Sequence, residues 1–164
     1  MPVPPGSGLP LYDGLGRPAA MVVRPGSAGA WLAYTLRVGE TPDRRGTPHA
    51  FLWSSATGTA TDLGAVPDRD ATLQLAATPS GALWVGWFDS TRSNDQQLVR
   101  FRRIAPGTTT FEPTTYTVTW PSRGTDSPFR SQIEVAARGE RLDVVVYDRA
   151  DSAGDGVVWH TQVG

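Results

Sequence analysis

Ser80-Gly-Ala-Leu-Trp-Val-Gly-Trp-Phe-Asp89 is the stretch of sequence that decides the fold. Residues 83–88 are apolar at every position, so an extended strand here is apolar on both faces. A strand of this kind requires cover on both sides, which neighbouring sheets provide. The stretch therefore predicts a strand in a sheet that lies between two other sheets.

The pattern around this strand occurs three times in the chain. Each unit has a short apolar strand, a turn with glycine, an apolar second strand, a polar loop and a third strand. The same second-strand position recurs at Trp31, Trp84 and Asp143. A fourth strand follows near residues 59–63 and 115–119, whereas the third unit stops after its third strand. The predicted units span 19–66, 72–120 and 131–164, after a Pro/Gly-rich leader, residues 1–18, with a candidate latch strand at 9–12.

Each unit is predicted to be an antiparallel meander. Apolar strands covered on both faces are typical of sheets stacked around an axis, as in a β-propeller. The predicted fold is therefore all-β, with three four-stranded blade-like units forming a half or partial propeller. The alternative is a single β-sandwich.

Composition excludes several classes of function. The chain has 164 residues, enough for one domain with a core, and its net charge of −1 gives no footprint for nucleic acid or an anionic membrane. Cysteine is absent, which excludes disulfides and thiolate metal sites, and all 15 basic residues are arginine, which excludes Schiff-base lysine chemistry. No signal peptide or apolar spanning run is visible. The compartment stays open, an extracellular or cell-surface location being favoured.

Two of the second strands resemble a known family. Residues 81–89 follow the pattern Gly-x-Leu-Trp-Val-x-Trp-x-Asp, and residues 141–148 follow it less closely. They resemble blades of the sialidase-like propeller superfamily, which carries Asp-box (BNR) repeats. Residues 54–61 and 103–110 stand where that resemblance places the Asp boxes, with Ala56 at the position of the first Asp. The family's three substrate-binding arginines and its Tyr/Glu pair have no counterparts here, so no catalytic residue is predicted.

The charged residues indicate which end of the sheets binds a ligand. In a meander, the loops between strands 2 and 3 and between units share one end, and these loops, together with residues 13–18 before the first unit, hold 20 of the 31 formal charges. Loops gathered on one side of a rigid scaffold are common binding sites. The candidate ligand-binding residues on this loop face are Asp89, Arg92, Trp120, Asp126, Arg130, Asp148 and Arg149.

Two alternatives concern the carboxylates of these loops. Asp89 and Asp148 lie at the ends of equivalent second strands. One interpretation is that they act as general acid and base on a glycoside. The other is that they accept hydrogen bonds from backbone N–H groups of their loops. Asp148, Asp151 and Asp155 are candidate calcium ligands. The alternative is that they belong to a plain hairpin loop. Neither a metal nor a cofactor is predicted.

The predicted function is a non-catalytic module that binds a glycan or a protein, or serves in assembly. The alternatives are a glycoside hydrolase whose active site is completed by blades of another chain, and a purely structural subunit. The expected partner is a second copy or the neighbouring blades of another chain, with neither nucleic acid nor membrane. An open stack would expose an apolar sheet face at each end, including residues such as Trp84 or Tyr147, and such faces drive association.

Overall fold

A computed structural model describes residues 20–39, 41, 46–66, 73–88, 96–121, 131–149 and 156–164. The leader, with its candidate latch strand, lies outside these residues. The described residues form eleven strands and no helix, and therefore no helix that could cross a membrane. The strands are β1 (Ala20–Val23), β2 (Ala30–Val38), β3 (Thr47–Ser54), β4 (Ala60–Ala65), β5 (Gln74–Ala77), β6 (Leu83–Phe88), β7 (Gln96–Ile104), β8 (Phe111–Pro121), β9 (Ser131–Arg138), β10 (Arg141–Arg149) and β11 (Gly156–Val163).

The strands form three antiparallel sheets in which neighbours in sequence are neighbours in space. Sheet 1 has the order β1-β2-β3-β4, sheet 2 the order β5-β6-β7-β8, and sheet 3 the order β9-β10-β11. Each described sheet is open and none closes on itself. The prediction of an all-β chain with three antiparallel meanders is confirmed.

Sheet 2 lies in the middle and β6 is covered on both faces, as its sequence predicts. Leu83, Val85 and Trp87 belong to a core shared with sheet 1. Trp84 belongs to a second core, which is shared with sheet 3. Gly86 lies on the side of Trp84, and a Cβ atom at this position would overlap the ring of Phe101. The glycine is therefore required because an aromatic ring from β7 packs directly on the backbone of β6.

The first strands of the three sheets lie next to one another. β5 contacts β1 on one side and β9 on the other, and β11 contacts β8 at the other edge of sheets 2 and 3. The later strands of each meander therefore extend away from a common line of first strands.

The two end faces of the stack differ. The outer face of sheet 1 carries a third apolar cluster of Leu32, Tyr34 and Trp53, with Leu36 and Phe51 beside it, and all five belong to sheet 1. Met21 and Val23 on the same face are 65% and 70% exposed.

The outer face of sheet 3 is largely polar. Its exposed or half-buried side chains include Gln132, Glu134, Asp143, His160 and Gln162, together with Val145, Tyr147 and Val158. Exposed apolar side chains therefore occur at both ends, with Met21 and Val23 on sheet 1 and Val145 and Val158 on sheet 3. The cluster of Leu32, Tyr34 and Trp53 on sheet 1 is itself buried, at 4–7% exposure. Trp84 is only 1% exposed, because it packs between sheets 2 and 3 rather than at an end.

Candidate functional site

Most of the predicted ligand-binding residues fall outside the described part of the chain. Asp89, Arg92, Asp126 and Arg130 lie there, as do the candidate calcium ligands Asp151 and Asp155. Asp148 and Arg149 end β10, and only their backbone is described. Within the described ranges, no group of three or more His, Asp or Glu side chains is placed to hold a metal ion.

Trp120 is the one predicted site residue whose side chain is described. It lies near the end of β8 and is 2% exposed, so its ring face is not offered to solvent. The ring packs edge-on against Phe88, with the centroids 6.0 Å apart. Trp120 therefore belongs to the core between sheets 2 and 3, where it lines the wall of a groove.

The groove lies between the outer strands of sheets 2 and 3 and has a volume of about 330 Å³. One wall is β8 and the other is β11, with Val144 and Val146 of β10 between them. The walls place aromatic and apolar side chains opposite each other, and Thr161 lies on the same face of β11 as Trp159 and Val163. The lining from these walls is Tyr116, Thr117, Val118, Thr119, Trp120, Trp159, His160, Thr161, Gln162 and Val163, followed by Gly164.

Two buried donors in the groove lining have no acceptor. The indole Nε1 atoms of Trp120 and Trp159 make no hydrogen bond to any described residue. Most buried polar groups in folded proteins are hydrogen-bonded, so each such donor requires an explanation. The lining contains no Arg, Asp or Glu. The groove therefore suits an uncharged ligand with apolar groups.

A hydrogen-bonded cluster orders β11 from the other face of sheet 3. Gln162 Nε2 donates to Asp143 Oδ1 over 2.8 Å, and His160 Nε2 lies 3.4 Å from the same oxygen. The hydrogen bond from Gln162, with a smaller contribution from His160, lowers the pKa of Asp143. These contacts hold β11 against β10 and so fix one wall of the groove.

Charged groups at the end of the sheets opposite the predicted loop face are engaged in structural contacts. Arg24 follows β1 and is 3% exposed. Its guanidinium donates to the carbonyl oxygens of Gly81, Ala105 and Thr108, which lie in the two turns of sheet 2 at that end. The contacts join sheet 1 to sheet 2.

A second cluster at the same end joins sheet 2 to sheet 3. Arg103 of β7 forms ion pairs of 2.7 Å with Glu112 and with Glu140, which lies in the turn between β9 and β10. Ser80 Oγ donates to Glu140 Oε2 over 2.8 Å. Because these carboxylates are held by protein groups, this end of the stack serves to connect the sheets.

Sequence reasoning missed Arg24, Tyr116 and Trp159. The repeat does not indicate an arginine at position 24, because Thr78 stands at the corresponding place in the second unit, directly after β5 and before a proline. Tyr116 and Trp159 follow the alternation of their strands and read as ordinary core residues. Comparison with known proteins gives no further guidance, since no protein-family model, curated protein or solved structure matches the chain.

Proposed function

We propose that the protein is a non-catalytic binding and assembly module whose ligand is a glycan or a protein. The observation that carries this proposal is the groove between β8 and β11, where aromatic and apolar side chains of the two strands face each other and the lining contains no Arg, Asp or Glu. Ligand sites combine apolar and aromatic linings with a few polar groups in this way.

The scaffold in this proposal is a partial β-propeller of three blade-like sheets, similar to the sialidase-like superfamily. The adjacency of β1, β5 and β9 supports it, because the first strands of propeller blades surround the central axis. The Arg24 and Glu140 clusters support it as well, since they fix each sheet to the next at one end. A rigid stack of this kind presents loops and grooves at constant positions.

The hydrolase alternative has less support. Glycoside hydrolysis uses two carboxyl groups on either side of the scissile bond. The groove lining contains no carboxylate, and the described residues Glu112 and Glu140 are both paired with Arg103. The predicted pair of Asp89 and Asp148 includes one residue outside the described ranges. A binding role therefore explains more of the described chain than catalysis does.

The experiment is a ligand screen on a glycan array and a peptide library with matched variants. Thr161→Arg places a large charged side chain in the groove, whereas Thr115→Arg places the same side chain on an exposed part of β8 outside the groove lining. We expect Thr161→Arg to abolish binding of the ligand found in the screen and Thr115→Arg to retain it.

The loop face is tested in parallel. Asp89, Arg92, Asp148 and Arg149 are replaced together by Ala, a change that costs little stability on a surface. Loss of binding in this variant, with Thr161→Arg unaffected, would place the ligand on the loop face instead of in the groove. Absence of any ligand in both screens would contradict the binding function itself.

A further inference from the structure

The outer edge of β11 differs from the outer edges of the other two sheets. Sheets 1 and 2 each end in a fourth strand, whereas described sheet 3 ends at β11, whose second edge pairs with no described strand. A free edge exposes a row of backbone N–H and C=O groups that can pair with another chain.

Natural edge strands are protected by charges, prolines or bulges, and the two fourth strands have these features. β4 contains Asp62 and its pairing shifts register at Ala50/Phe51. β8 contains Glu112, Pro113 and Pro121, and its pairing shifts register between Arg102 and Ile104. Both outer edges are therefore poor templates for a further strand.

β11 has none of these protective features. Its sequence, Gly156-Val-Val-Trp-His-Thr-Gln-Val163, contains no proline, carboxylate or arginine. All eight residues pair with β10 in continuous register, from Val163 opposite Leu142 to Gly156 opposite Arg149. The edge is therefore regular, uncharged when His160 is neutral, and eight residues long.

The groove adjoins this free edge. A fourth strand on sheet 3 would face β8, which presents Tyr116, Val118 and Trp120 towards sheet 3. The groove is thus the space beside a strand position that no described residue occupies. Alternate side chains of an added strand point to opposite faces, so every second side chain would point towards the groove.

We propose that β11 and the groove bind an extended, uncharged peptide segment of a partner protein, which adds to sheet 3 as its fourth strand. This inference rests on the proposed binding function and names its ligand. Main-chain hydrogen bonds to β11 provide affinity, and pockets for alternate side chains provide specificity, as in other cases of strand addition. The partner segment alternates apolar residues, which enter the groove, with small polar residues, which face solvent.

The observations favour a peptide over a glycan. The free edge repeats its donors and acceptors at the spacing of a β-strand, which only another polypeptide strand matches along its length. Residues 115–119 of β8 show the required alternation, since Thr115, Thr117 and Thr119 alternate with Tyr116 and Val118.

The test uses the full chain and two probes. One is a displayed library of random peptides, selected for binding to the protein after removal of the peptides that bind the Thr161→Arg variant. The other is a synthetic peptide copying residues 114–120 of β8. We expect the selected peptides to alternate uncharged apolar and polar residues. On peptide binding, the amide hydrogens of β11 should exchange with solvent about tenfold more slowly. The exchange rates of the β4 amides should remain unchanged.

N-methylation of the selected peptide tests main-chain pairing. Successive N–H groups of a strand point to opposite edges, so methylation of one alternate set should abolish binding and methylation of the other set should leave it intact. Equal effects of the two sets, or no change in β11 exchange with any selected peptide, would overturn the strand-addition proposal.

Two further outcomes separate this inference from the proposed function. If the protein binds a glycan in a way that depends on Thr161 and binds no peptide, the proposed binding function stands and the proposal of a peptide ligand is wrong. Absence of both peptide and glycan binding would overturn both. Circular dichroism of Thr161→Arg and Thr115→Arg confirms that each variant has the β content of the parent.

Discussion

Arg24 is a buried cation whose partners are backbone carbonyls. Its Nη1 donates to Thr108 O over 2.8 Å and its Nη2 to Ala105 O over 2.6 Å, while Nε donates to Gly81 O. The guanidinium carbon also lies 5.1 Å from the ring centroid of Trp31. Burial lowers the pKa of Arg24, yet an arginine remains charged in proteins. One side chain therefore satisfies carbonyls from two turns of the neighbouring sheet.

Replacing Arg24 with Met should lower the free energy of unfolding by about 1–3 kcal/mol, because buried carbonyls lose their donors. Arg24→Lys should recover only part of this loss, since one ammonium group lacks the planar fork that reaches three acceptors. Urea denaturation followed by tryptophan fluorescence measures both values. A lysine variant as stable as the parent would show that charge alone, without the fork, joins the two sheets.

Gly86 gives a second prediction at the scale of one residue. A methyl group on Gly86 would overlap the ring of Phe101, which is fully buried. Gly86→Ala should therefore destabilise the fold by about 1–3 kcal/mol, the usual cost of overpacking a core. The double variant Gly86→Ala/Phe101→Leu should be less destabilised than the sum of the two single variants. Additive losses would mean that the ring and the glycine do not constrain each other.

Glu140 connects two turns and makes stability depend on pH. The hydrogen bond from Ser80, followed by that from Arg103, lowers the pKa of Glu140 below the ordinary value of 4.5 for a glutamate. A carboxyl group with a lowered pKa in the folded state stabilises that state fully above its unfolded value and loses this contribution as the pH falls through the folded value. Stability should therefore decline below about pH 4.5.

Glu140→Gln should reduce this acid dependence, because the amide does not titrate. Thermal unfolding of parent and variant between neutral pH and acid measures the effect. Glu134→Gln is a matched control, since Glu134 lies exposed on β9 away from this cluster. If the two variants show the same dependence on pH, the contact of Glu140 with Ser80 and Arg103 does not contribute to it.

The strands were predictable from sequence because each has a local signal. Alternating or continuous apolar residues bounded by glycine turns predicted the meanders, and the two-sided apolar pattern of 83–88 predicted the central position of β6. Contacts between sheets were not predictable, because Arg24 and Glu140 act through residues between 37 and 84 positions away in sequence. Charge counting selected the loop face, but a count of charges contains no information on an uncharged groove.

The whole molecule is a stack with two unlike ends. Sheet 1 ends the stack with Met21 and Val23 exposed beside the buried cluster of Leu32, Tyr34 and Trp53, while sheet 3 exposes Val145 and Val158 among Asp143, His160 and Gln162. Exposed apolar patches mark sites of association, and on sheet 3 polar side chains interrupt the apolar ones. We therefore expect association to involve the end formed by sheet 1.

Val23→Glu and Val158→Glu form a matched pair that tests this expectation. The two valines are 70% and 64% exposed and lie on the outer faces of sheets 1 and 3, respectively. Val23→Glu should shift the chain towards monomer in sedimentation velocity runs over a range of concentrations, because a charge at an apolar contact is costly to bury. Val158→Glu should leave the distribution unchanged. A parent that sediments as a monomer at every concentration, or a larger effect of Val158→Glu, would show that the apolar face of sheet 1 is not where copies of the chain meet.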